Sequence, residues 1–519
     1  MTSNGSTVHG NSTQRILIQT SCYCVIDGVT STIRKLEAHL LSSNPDTQIC
    51  ILTTKSGDLS NLDNYLNLVP SHLHLTVHPR RTVIFVDALK LPVMDIYSYR
   101  LGLRLSPSSL QSIKAFNPTV IHSTVPDLLN LDLLSHSRHT QTPYVSTFHS
   151  DYILYMDYYE AKWIKIVLEN YMRHTYSFTP ELYVPTKYYK RLLSSPDYNL
   201  GGVTVIKDWP RPVDTYKFNP KHRSQHWRSS MGFKASDIVV CYCGRLVVEK
   251  NPDKYIKVMK ALEKKGYGDK VKGIVIGDGP LLEVMRSSFD SNYVKCTGWL
   301  EPPELAVAYA SSDLFLFPSG CETFGNVTLE ACASGLPVIV EAGCSEHLVE
   351  DNGYAIEDQD DYYKRTVELI EDEGLRRRMA ENSIILSKRF DLEIVCDKMA
   401  KIYEEAKPPK NDAPDNKFNF PWGRVEHPWV LIGIEVVFWI LVTSCVQLTK
   451  LYEWSKRTPV INVAAAAAGN LLAIVLLGIG KLVPKAQAGG GKMSDRLGGM
   501  LALAILFPLS CKEVQRKVN

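Results

Sequence analysis

A loop and the short predicted helix after it contain the residue types needed to hold a phosphorylated ligand. Gly325 lets the backbone approach a ligand closely, and the amides of Asn326 and Val327 would begin the helix, where the helix dipole favours a phosphate. Glu330 follows one turn later on the same helical face, so its carboxylate can accept hydrogen bonds from paired sugar hydroxyls. Glu322 lies in the loop and approaches the same site from the other side. A solvent-exposed helix face is the alternative interpretation of Glu330.

Two cations upstream strengthen the interpretation as a phosphate site. Gly244 ends a predicted strand, and Arg245 and Lys250 follow it before the next helix, which suits a diphosphate whose charge is neutralised without a metal. Two glycine-containing turns, at 277–280 and 297–300, end further strands at the same edge of the predicted sheet. An ordinary strand-to-helix loop is the alternative for each of these turns.

The elements that must position these residues form two series of short β-branched runs that alternate with helical stretches. This alternation predicts two parallel, doubly wound sheets, and hence two separate Rossmann-type domains. The first series comprises residues 15–20, 48–53, 82–86, 119–122 and 144–148. The second comprises residues 203–206, 238–243, 273–276, 313–317 and 337–340.

The chain of 519 residues is long enough for about three units. Segment 209–214 contains two prolines and is expected to be a stiff connection, which places a ligand cleft between the two domains. The predicted organisation is a disordered N-terminus at 1–14, an N-terminal Rossmann-like domain at 15–205, a C-terminal Rossmann-like domain at 206–390, a C-terminal helix at 391–406, a linker at 407–427 and a membrane-associated helical tail at 428–511.

The tail is predicted to associate with a membrane. Segments 429–449 and 459–480 contain 21 and 22 residues. Glu435, in the first segment, is the single charged residue that the two segments contain. Each is long enough to cross a hydrocarbon layer of about 30 Å. Segment 497–511 is shorter and suits an interfacial or re-entrant element. A buried helical hairpin of a soluble domain is the alternative for the tail.

Charge and cysteine usage narrow the function classes. Residues 407–519 carry a net charge of +7, whereas the preceding 406 residues carry −4, so the basic tail suggests anionic lipid headgroups and the acidic body argues against nucleic acid. The twelve cysteines lack metal-ligand spacing and are expected to be buried free thiols. The first fourteen residues are polar, without a signal or transit pattern, which predicts a reducing environment that faces the cytosol.

In order and spacing, these motifs resemble the family-4 retaining nucleotide-sugar glycosyltransferases, which have the two-domain GT-B fold. The resemblance covers roughly residues 15–405 and is strongest for the sulfoquinovosyltransferases and the lipid α-mannosyltransferases. It rests on Gly244-Arg245 to Lys250, on the turns at 277–280 and 298–300, on Tyr309 to Asp313, and on Glu322 to Glu330.

The resemblance implies a role for each matching residue. Arg245 and Lys250 would hold the donor diphosphate, and Glu330 would hold the ribose. Glu322 would contact the transferred sugar, and His149, which ends a predicted strand, matches the family's histidine near that sugar. A structural histidine is the alternative for His149. The residues implied to line the rest of the site are Gly325, Asn326 and Val327 at the phosphate, Gly277, Gly279, Trp299 and Leu300 at the base, and Asp27 and Gly28 where phosphate and acceptor meet.

Two positions depart from the family pattern. The first strand-to-helix loop has the single Gly28 where many members have a glycine pair, and Ala342-Gly343-Cys344 replaces the common Ala-Gly-Gly on the sugar side.

The resemblance implies a retaining transfer from a UDP- or GDP-linked sugar to a lipid or other membrane-associated hydroxyl. Without a strong candidate for a protein nucleophile, front-face attack is expected, with the departing phosphate taking the acceptor proton, and neither a metal nor a cofactor is expected. The alternatives are the same chemistry on a soluble secondary-metabolite acceptor and a catalytically silent membrane scaffold. A dehydrogenase is disfavoured because the loop at 19–28 lacks the glycine fingerprint for a dinucleotide.

The enzyme is expected in a membrane, the endoplasmic reticulum being favoured, with its catalytic domains facing the cytosol. Asn326-Val-Thr328 is an acceptor sequon within the predicted phosphate loop, and glycosylation in a lumen would block that loop.

Overall fold

A computed structural model gives the fold of the two predicted domains and of a short hairpin after them. The residues that it describes are 13–24, 27–54, 78–86, 88–90, 100–102, 105–158, 162–196, 198, 200, 204–409, 418–420 and 423–425. The predicted membrane segments at 429–449, 459–480 and 497–511 lie outside these residues, as does most of the predicted disordered segment 1–14.

The first domain is built on a parallel sheet of seven strands. Their bounds are β1 Arg15–Gln19, β2 Gln48–Thr54, β3 Arg81–Val86, β6 Val120–Ser123, β7 Tyr144–Thr147, β8 Glu181–Val184 and β9 Val205–Asp208. The order across the sheet is β3-β2-β1-β6-β7-β8-β9. The central strands are buried along most of their length because helices cover both faces, which explains their continuous apolar runs. A separate antiparallel pair joins β4 Ala88–Lys90 to β5 Arg100–Gly102.

The last strand of this sheet corrects the sequence analysis, which assigned 203–206 to the second series and ended the first domain at 205. Strand β9 pairs in parallel with β8, with Glu181 opposite Val205 and Val184 opposite Asp208. Strand β8 was not predicted, so β9 had no visible partner in the first series. Both strands belong to the first domain, which therefore extends to Asp208.

The second domain is built on a parallel sheet of six strands. Their bounds are β10 Ile238–Cys243, β11 Val271–Ile276, β12 Val294–Gly298, β13 Leu314–Phe317, β14 Val338–Glu341 and β15 Gly353–Ile356. The order is β12-β11-β10-β13-β14-β15, the doubly wound Rossmann order. Strand β15 was not predicted. Two Rossmann-like domains are thus confirmed.

Several helices begin directly after a residue whose side chain caps them. Asp27 precedes α1 and accepts a hydrogen bond from the amide of Thr30 at 2.7 Å, the usual role of an aspartate at this position. The helices are α1 Gly28–Ser43, α2 Pro107–Phe116, α3 Leu128–Thr140, α4 Tyr152–Tyr158, α5 Lys162–Ser177, α6 Lys187–Ser194, α7 Gln225–Ser230, α8 Pro252–Lys264, α9 Leu282–Ser287, α10 Pro302–Ala310, α11 Asn326–Ala333, α12 Gln359–Glu371, α13 Glu373–Lys388 and α14 Leu392–Glu405.

The chain crosses between the domains twice, and the two crossings lie side by side. Val213 on the outward crossing donates its amide to the carbonyl of Phe390 on the return crossing at 2.9 Å. The indole of Trp209 is fully buried and donates to the carbonyl of Val395 in α14 at 3.1 Å. Helix α14 then packs against the first domain, in the apolar cluster that contains Ile16 and Ile33. The predicted stiff connection is therefore fastened to the C-terminal helix.

Both sheets have a topological switch point, where the strand order reverses. In the first sheet it lies between β1 and β6, and in the second between β10 and β13. Ligands of open α/β sheets bind beyond the carboxyl ends of the strands at such points. The helix after β1 begins at Gly28, and the loops after β7, β10 and β13 carry His149, Arg245 and Glu322.

A short antiparallel hairpin lies within the segment predicted as a linker, 407–427. It pairs β16 Phe418–Phe420 with β17 Gly423–Val425 and belongs to a separate unit, Asp412–Asn519. In the parts of the chain that the structure describes, none of the helices has the length and apolar character needed to cross a bilayer.

Gly277 provides a test of how tightly the strand ends of the second sheet are packed. A Cβ at Gly277, where φ is +134°, would lie 2.0 Å from the carbonyl oxygen of Gly244, whereas a Cβ at Gly266, where φ is +89°, meets nothing within 4 Å. We expect Gly277→Ala to lower the free energy of unfolding by at least about 2 kcal/mol more than Gly266→Ala, which introduces backbone strain alone. Urea denaturation measures both, and equal losses would contradict the close approach.

Candidate active site

A largely buried ion pair joins the loops after β10 and β13. The Lys250 ammonium lies 2.6 Å from Glu322 Oε1 and also donates to the carbonyl of Cys321 at 2.7 Å. The two side chains are 9% and 12% exposed. Ser319 donates its hydroxyl to the same Oε1 at 2.9 Å. The two sequence-predicted residues therefore meet, and each fixes the orientation of the other.

Helix α11 begins directly after this pair. Gly325 has a φ of +94°, and a Cβ there would lie 2.2 Å from the Ser345 hydroxyl, so the position requires glycine. Gly325 has no side chain to cap the helix, and no side chain among the described residues caps it, so in this part of the chain the first amides of α11, at Asn326 and Val327, remain available. The positive end of the helix dipole adds to the charge of the nearby Lys250. This combination suits an anionic group.

The phosphate loops predicted in the two domains contact each other. The side-chain amide of Asn326 donates to the carbonyl of Gly28 at 3.3 Å. A Cβ on Gly28 would lie 3.0 Å from the same amide nitrogen, so the single glycine of the first loop is used for close approach to the second domain. Asp27 caps α1 beside it. The site is therefore built from both domains.

Glu330 faces a lysine of the first domain. Its Oε1 lies 3.9 Å from Nζ of Lys35 in α1, and the same Nζ donates to the carbonyl of Pro212 at 3.1 Å. Burial raises the pKa of Glu330, while the charges of Lys35 and Lys217 act in the opposite direction. Glu330 is thus not on a solvated helix face. Lys35, which lies two turns beyond Gly28, is not among the site residues predicted from the sequence.

Arg245, in the loop after β10, acts electrostatically on an aromatic side chain of α4 in the first domain. Burial raises the pKa of the Tyr155 hydroxyl, Cys321 and Glu322 raise it further, and the charge of Arg245 lowers it. Tyr155 is therefore near both the predicted diphosphate-binding cation and the predicted sugar-binding carboxylate. It was not predicted.

A second tyrosine of α4 contacts the loop that carries Glu322. The Tyr158 hydroxyl donates to the carbonyl of Gly320 at 3.0 Å, and a Cβ at Gly320 would lie 2.5 Å from that hydroxyl. Helix α4 therefore approaches the Glu322 loop from the first domain. The sequence has several tyrosines at 152–159, but nothing in their spacing indicates that one of them contacts the loop of Glu322.

The residues predicted to border the base lie at the ends of β11 and β12. Gly277 donates its amide to the carbonyl of Gly298 at 2.8 Å, and Gly279 packs against the carbonyl of Leu246. The ring of Trp299 is 47% exposed, whereas Leu300 is buried. The structure thus places an exposed aromatic ring at the edge of this sheet.

His149 follows β7 and is the end of a buried polar chain. Its Nε2 is hydrogen-bonded to Thr147 Oγ1 at 2.8 Å, and that hydroxyl is also hydrogen-bonded to Nε2 of His122 at 2.8 Å. The Nδ1 of His122 lies 2.7 Å from the hydroxyl of Tyr403 in α14. Burial lowers the pKa of His122 to about 3 and that of His149 well below its ordinary value. Both imidazoles are therefore neutral at pH 7.

A buried arginine lies beside the two histidines. The Arg211 guanidinium donates to the carbonyl of Phe148 at 2.6 Å, and it stands 5.2 Å from the ring of Trp209. Its positive charge lowers the pKa values of His122 and His149 further, and burial lowers the pKa of Arg211 itself to about 9. Arg211 thus fixes the backbone next to His149 and opposes protonation of both rings.

The sequence predicts strands at 119–122 and 144–148, but His122, Thr147 and Tyr403 are not among the predicted site residues. Parallel pairing places His122 opposite Val145, two residues before Thr147. The register of β6 and β7 was the signal that could have placed His122 near Thr147. No local signal pointed to Tyr403, which is 281 residues away from His122.

The neutral His122 predicts a specific loss of stability in acid. Its pKa is about 6.5 in the unfolded chain and about 3 in the fold, so unfolding takes up a proton as the pH falls from 6.5 towards 3, and stability falls with it. Between pH 7 and pH 5 we expect the free energy of unfolding to decrease by about 2 kcal/mol more in the wild type than in His122→Asn. Urea denaturation at the two pH values measures this difference.

Asp127 acts in the opposite direction in this range, because burial raises its pKa to about 7. It is present in both proteins, so its effect cancels in the comparison. The same decrease in wild type and variant would show that His122 is protonated in the fold.

Two family models match the two domains. The model described as Glycosyltransferase Family 4 matches residues 28–217, and the model described as Glycosyl transferases group 1 matches residues 224–385. The boundary between the two matches follows β9, which agrees with the assignment of β9 to the first sheet.

Curated relatives are similar over about half of the chain or more. The sulfoquinovosyl transferase of Arabidopsis thaliana is 31% identical over 258 residues, which are 48% of each chain. The match therefore spans about half the length of this relative. The alpha-monoglucosyldiacylglycerol synthase of Streptococcus pneumoniae is 25% identical over 329 residues, which are 60% of this chain and 68% of that enzyme.

Among solved structures, a sucrose-phosphate synthase from Thermosynechococcus elongatus superimposes with a TM-score of 0.61 at 15% identity, covering 76% of this chain and 98% of that chain. This likeness concerns the fold. Because the two family models cover the two Rossmann-like domains in the same order, the chain belongs to the family-4 glycosyltransferases.

Proposed function

We propose that this protein is a retaining glycosyltransferase that moves a sugar from a UDP- or GDP-linked donor to a hydroxyl of a lipid or other membrane-associated acceptor. The observation that carries the proposal is the Lys250–Glu322 pair, 2.6 Å apart and next to the start of α11. The pair brings a cation and a carboxylate to the switch point of the second sheet, next to the amides that begin α11. The low exposure of both side chains distinguishes this pair from an ordinary ion pair on the protein surface.

In this proposal the donor diphosphate binds between the two cations and the helix. Arg245 and Lys250 supply fixed positive charge, and the amides of Asn326 and Val327 supply hydrogen-bond donors. As the sugar leaves, negative charge grows on the phosphate, and donors that are already oriented stabilise it without reorganisation. We propose that these groups suffice without a metal or cofactor.

Glu322 is suited to hold the transferred sugar. Its Oε1 is already engaged by Lys250 and Ser319, whereas its Oε2 makes no hydrogen bond to any residue that the structure describes. That oxygen can accept from a sugar hydroxyl. The ion pair thus orients the carboxylate, and removal of Lys250 would release it.

Glu330 is proposed to hold the ribose. Its carboxylate lies 3.9 Å from the Lys35 ammonium, beyond a direct hydrogen bond, so ribose hydroxyls can enter and bind it. The nucleobase would lie against Gly277, Gly279, Leu300 and the exposed ring of Trp299.

The proposed transfer keeps the anomeric configuration. The bond from the anomeric carbon to the phosphate oxygen breaks, the bond to the acceptor oxygen forms on the same face, and the acceptor proton passes to the departing phosphate. His149 is neutral and therefore positions the sugar by hydrogen bonding, so it is not needed as the base.

A lipid acceptor is supported by the name of the diacylglycerol-modifying relative and by the sequence of the tail. Residues 407–519 carry a net charge of +7 and include the predicted membrane segments at 429–449 and 459–480. We propose that the tail holds the catalytic domains at a membrane surface, with the endoplasmic reticulum favoured and the domains facing the cytosol. The alternatives are a soluble secondary-metabolite acceptor and a catalytically silent scaffold.

Nucleotide binding tests the donor site. We expect UDP or GDP to raise the melting temperature of the wild type, and we expect Lys250→Met to abolish most of that shift because a diphosphate-binding cation is lost. Glu322→Gln should keep the shift and lower the transfer rate at least about a hundredfold. Thermal unfolding with each nucleotide and a transfer assay measure the two effects.

Arg81→Met is the matched control, because it breaks an ion pair of similar burial, 2.7 Å from Glu37, in the first domain. It should lower stability and leave the nucleotide shift unchanged. A full shift in Lys250→Met, or no shift in the wild type with either nucleotide, would contradict the proposed site.

The acceptor class is tested by comparing transfer to lipid hydroxyls in vesicles with transfer to soluble alcohols. We expect product on vesicles that contain diacylglycerol and anionic lipid, and we expect its anomeric configuration to match the donor when read by proton NMR. Preference for the soluble alcohols would favour the secondary-metabolite alternative, and an inverted product would contradict front-face transfer.

A further inference from the structure

We propose that Tyr403, His122 and Thr147 form a buried hydrogen-bond relay that fixes the tautomer of His149, so that its Nδ1 carries the proton and donates to an oxygen of the bound sugar or phosphate. The donation to substrate rests on the proposed function, whereas the tautomer itself does not. Tyr403, His122 and Thr147 are positioning residues for His149.

The relay is continuous and excluded from water. Tyr403 to His122 spans 2.7 Å, His122 to Thr147 2.8 Å, and Thr147 to His149 2.8 Å. The four residues are between 0% and 7% exposed. With no water to exchange partners, each group must satisfy its donors and acceptors within the chain.

Tyr403, at the buried end of the relay, determines which group donates in each hydrogen bond. The Tyr403 hydroxyl is hydrogen-bonded to His122 Nδ1 and to no other residue that the structure describes. If it accepted a hydrogen bond from Nδ1–H, its own hydrogen would be left unpaired, at a cost of about 1–3 kcal/mol. Burial also raises the pKa of Tyr403, so the hydroxyl keeps its proton. Tyr403 therefore donates.

The remaining protons are then determined one by one. His122 accepts at Nδ1 and, being neutral, carries its proton at Nε2, which donates to Thr147 Oγ1. The Thr147 hydroxyl has its own proton left to donate, and His149 Nε2 is the acceptor within reach. His149 is neutral as well, so its proton is on Nδ1. That nitrogen makes no hydrogen bond to a described residue.

The surroundings hold both rings in place. Trp209 meets the two imidazoles edge-on, with centroids 6.3 Å from His122 and 6.1 Å from His149. Arg211 fixes the carbonyl of Phe148, the residue before His149. Because Tyr403 belongs to α14, the helix that follows the return crossing is connected to His149 through His122 and Thr147.

Nitrogen-15 NMR of the full-length protein with labelled histidine tests the tautomer directly. The signals of His149 are assigned by their loss in His149→Gln. We expect a protonated Nδ1 and an unprotonated Nε2 in the wild type at pH 7. A proton on Nε2 of His149 would overturn the relay, and this result would leave the proposed transferase function standing.

Variants then test whether the relay sets the tautomer. Thr147→Val keeps the shape of the side chain without its hydroxyl, and Tyr403→Phe removes the first donor, so we expect a mixed or reversed His149 tautomer in both. We expect kcat to fall at least about tenfold with little change in KM for the donor, because a transition-state hydrogen bond is lost. Thr147→Ser restores the hydroxyl and should restore the wild-type tautomer and kcat.

Tyr293→Phe is the control, because Tyr293 is buried and donates to the carbonyl of Met259 at 2.8 Å in the second domain. It loses a comparable hydrogen bond and should keep the wild-type tautomer and kcat. If Tyr403→Phe and Thr147→Val lose only stability, with the tautomer unchanged, the relay is refuted. If the wild type shows the expected tautomer but no transfer with any donor, the proposed function fails while the relay stands.

Discussion

The site depends on the burial of one ion pair beside the start of a helix. Lys250 and Glu322 are both nearly excluded from water. If either side chain moved away, the other would be left as a buried charge without a partner, which is strongly destabilising. This constraint orders the loops after β10 and β13 before any ligand arrives. In the proposed function, a diphosphate would therefore meet a cation that is already in place, and a sugar would meet a carboxylate whose orientation is already set.

The two domains contribute to this site in different ways. The second supplies the ion pair, the helix α11 and the edge at Trp299, which suit a nucleotide. The first supplies Gly28, which contacts Asn326, and Lys35, which faces Glu330, and it carries His149 after β7. The crossings at Val213 and Phe390 are hydrogen-bonded side by side, and α14 packs on the first sheet, so the connection between the domains also supports His149.

Sequence could predict the parts of the site that are local. Gly325, Glu330 and the cations after β10 stand in short motifs whose spacing alone places them at strand and helix ends, and the structure puts them there. The prediction for the edge strand β9 was wrong about its domain. Its partner β8 was not predicted, and the sequence of a strand alone does not specify the sheet to which it belongs. Tyr403 and Lys35 could not be found, since tertiary packing alone brings them to His122 and Glu330.

The central claim is that an anionic leaving group is held by Lys250, Arg245 and the first amides of α11. The most direct measurement is a structure of the protein with bound UDP or GDP. The account predicts the distal phosphate within hydrogen-bond distance of Lys250 Nζ and the amides of Asn326 and Val327, with the ribose at Glu330. A diphosphate bound elsewhere, with the Lys250–Glu322 pair facing empty solvent, would contradict it.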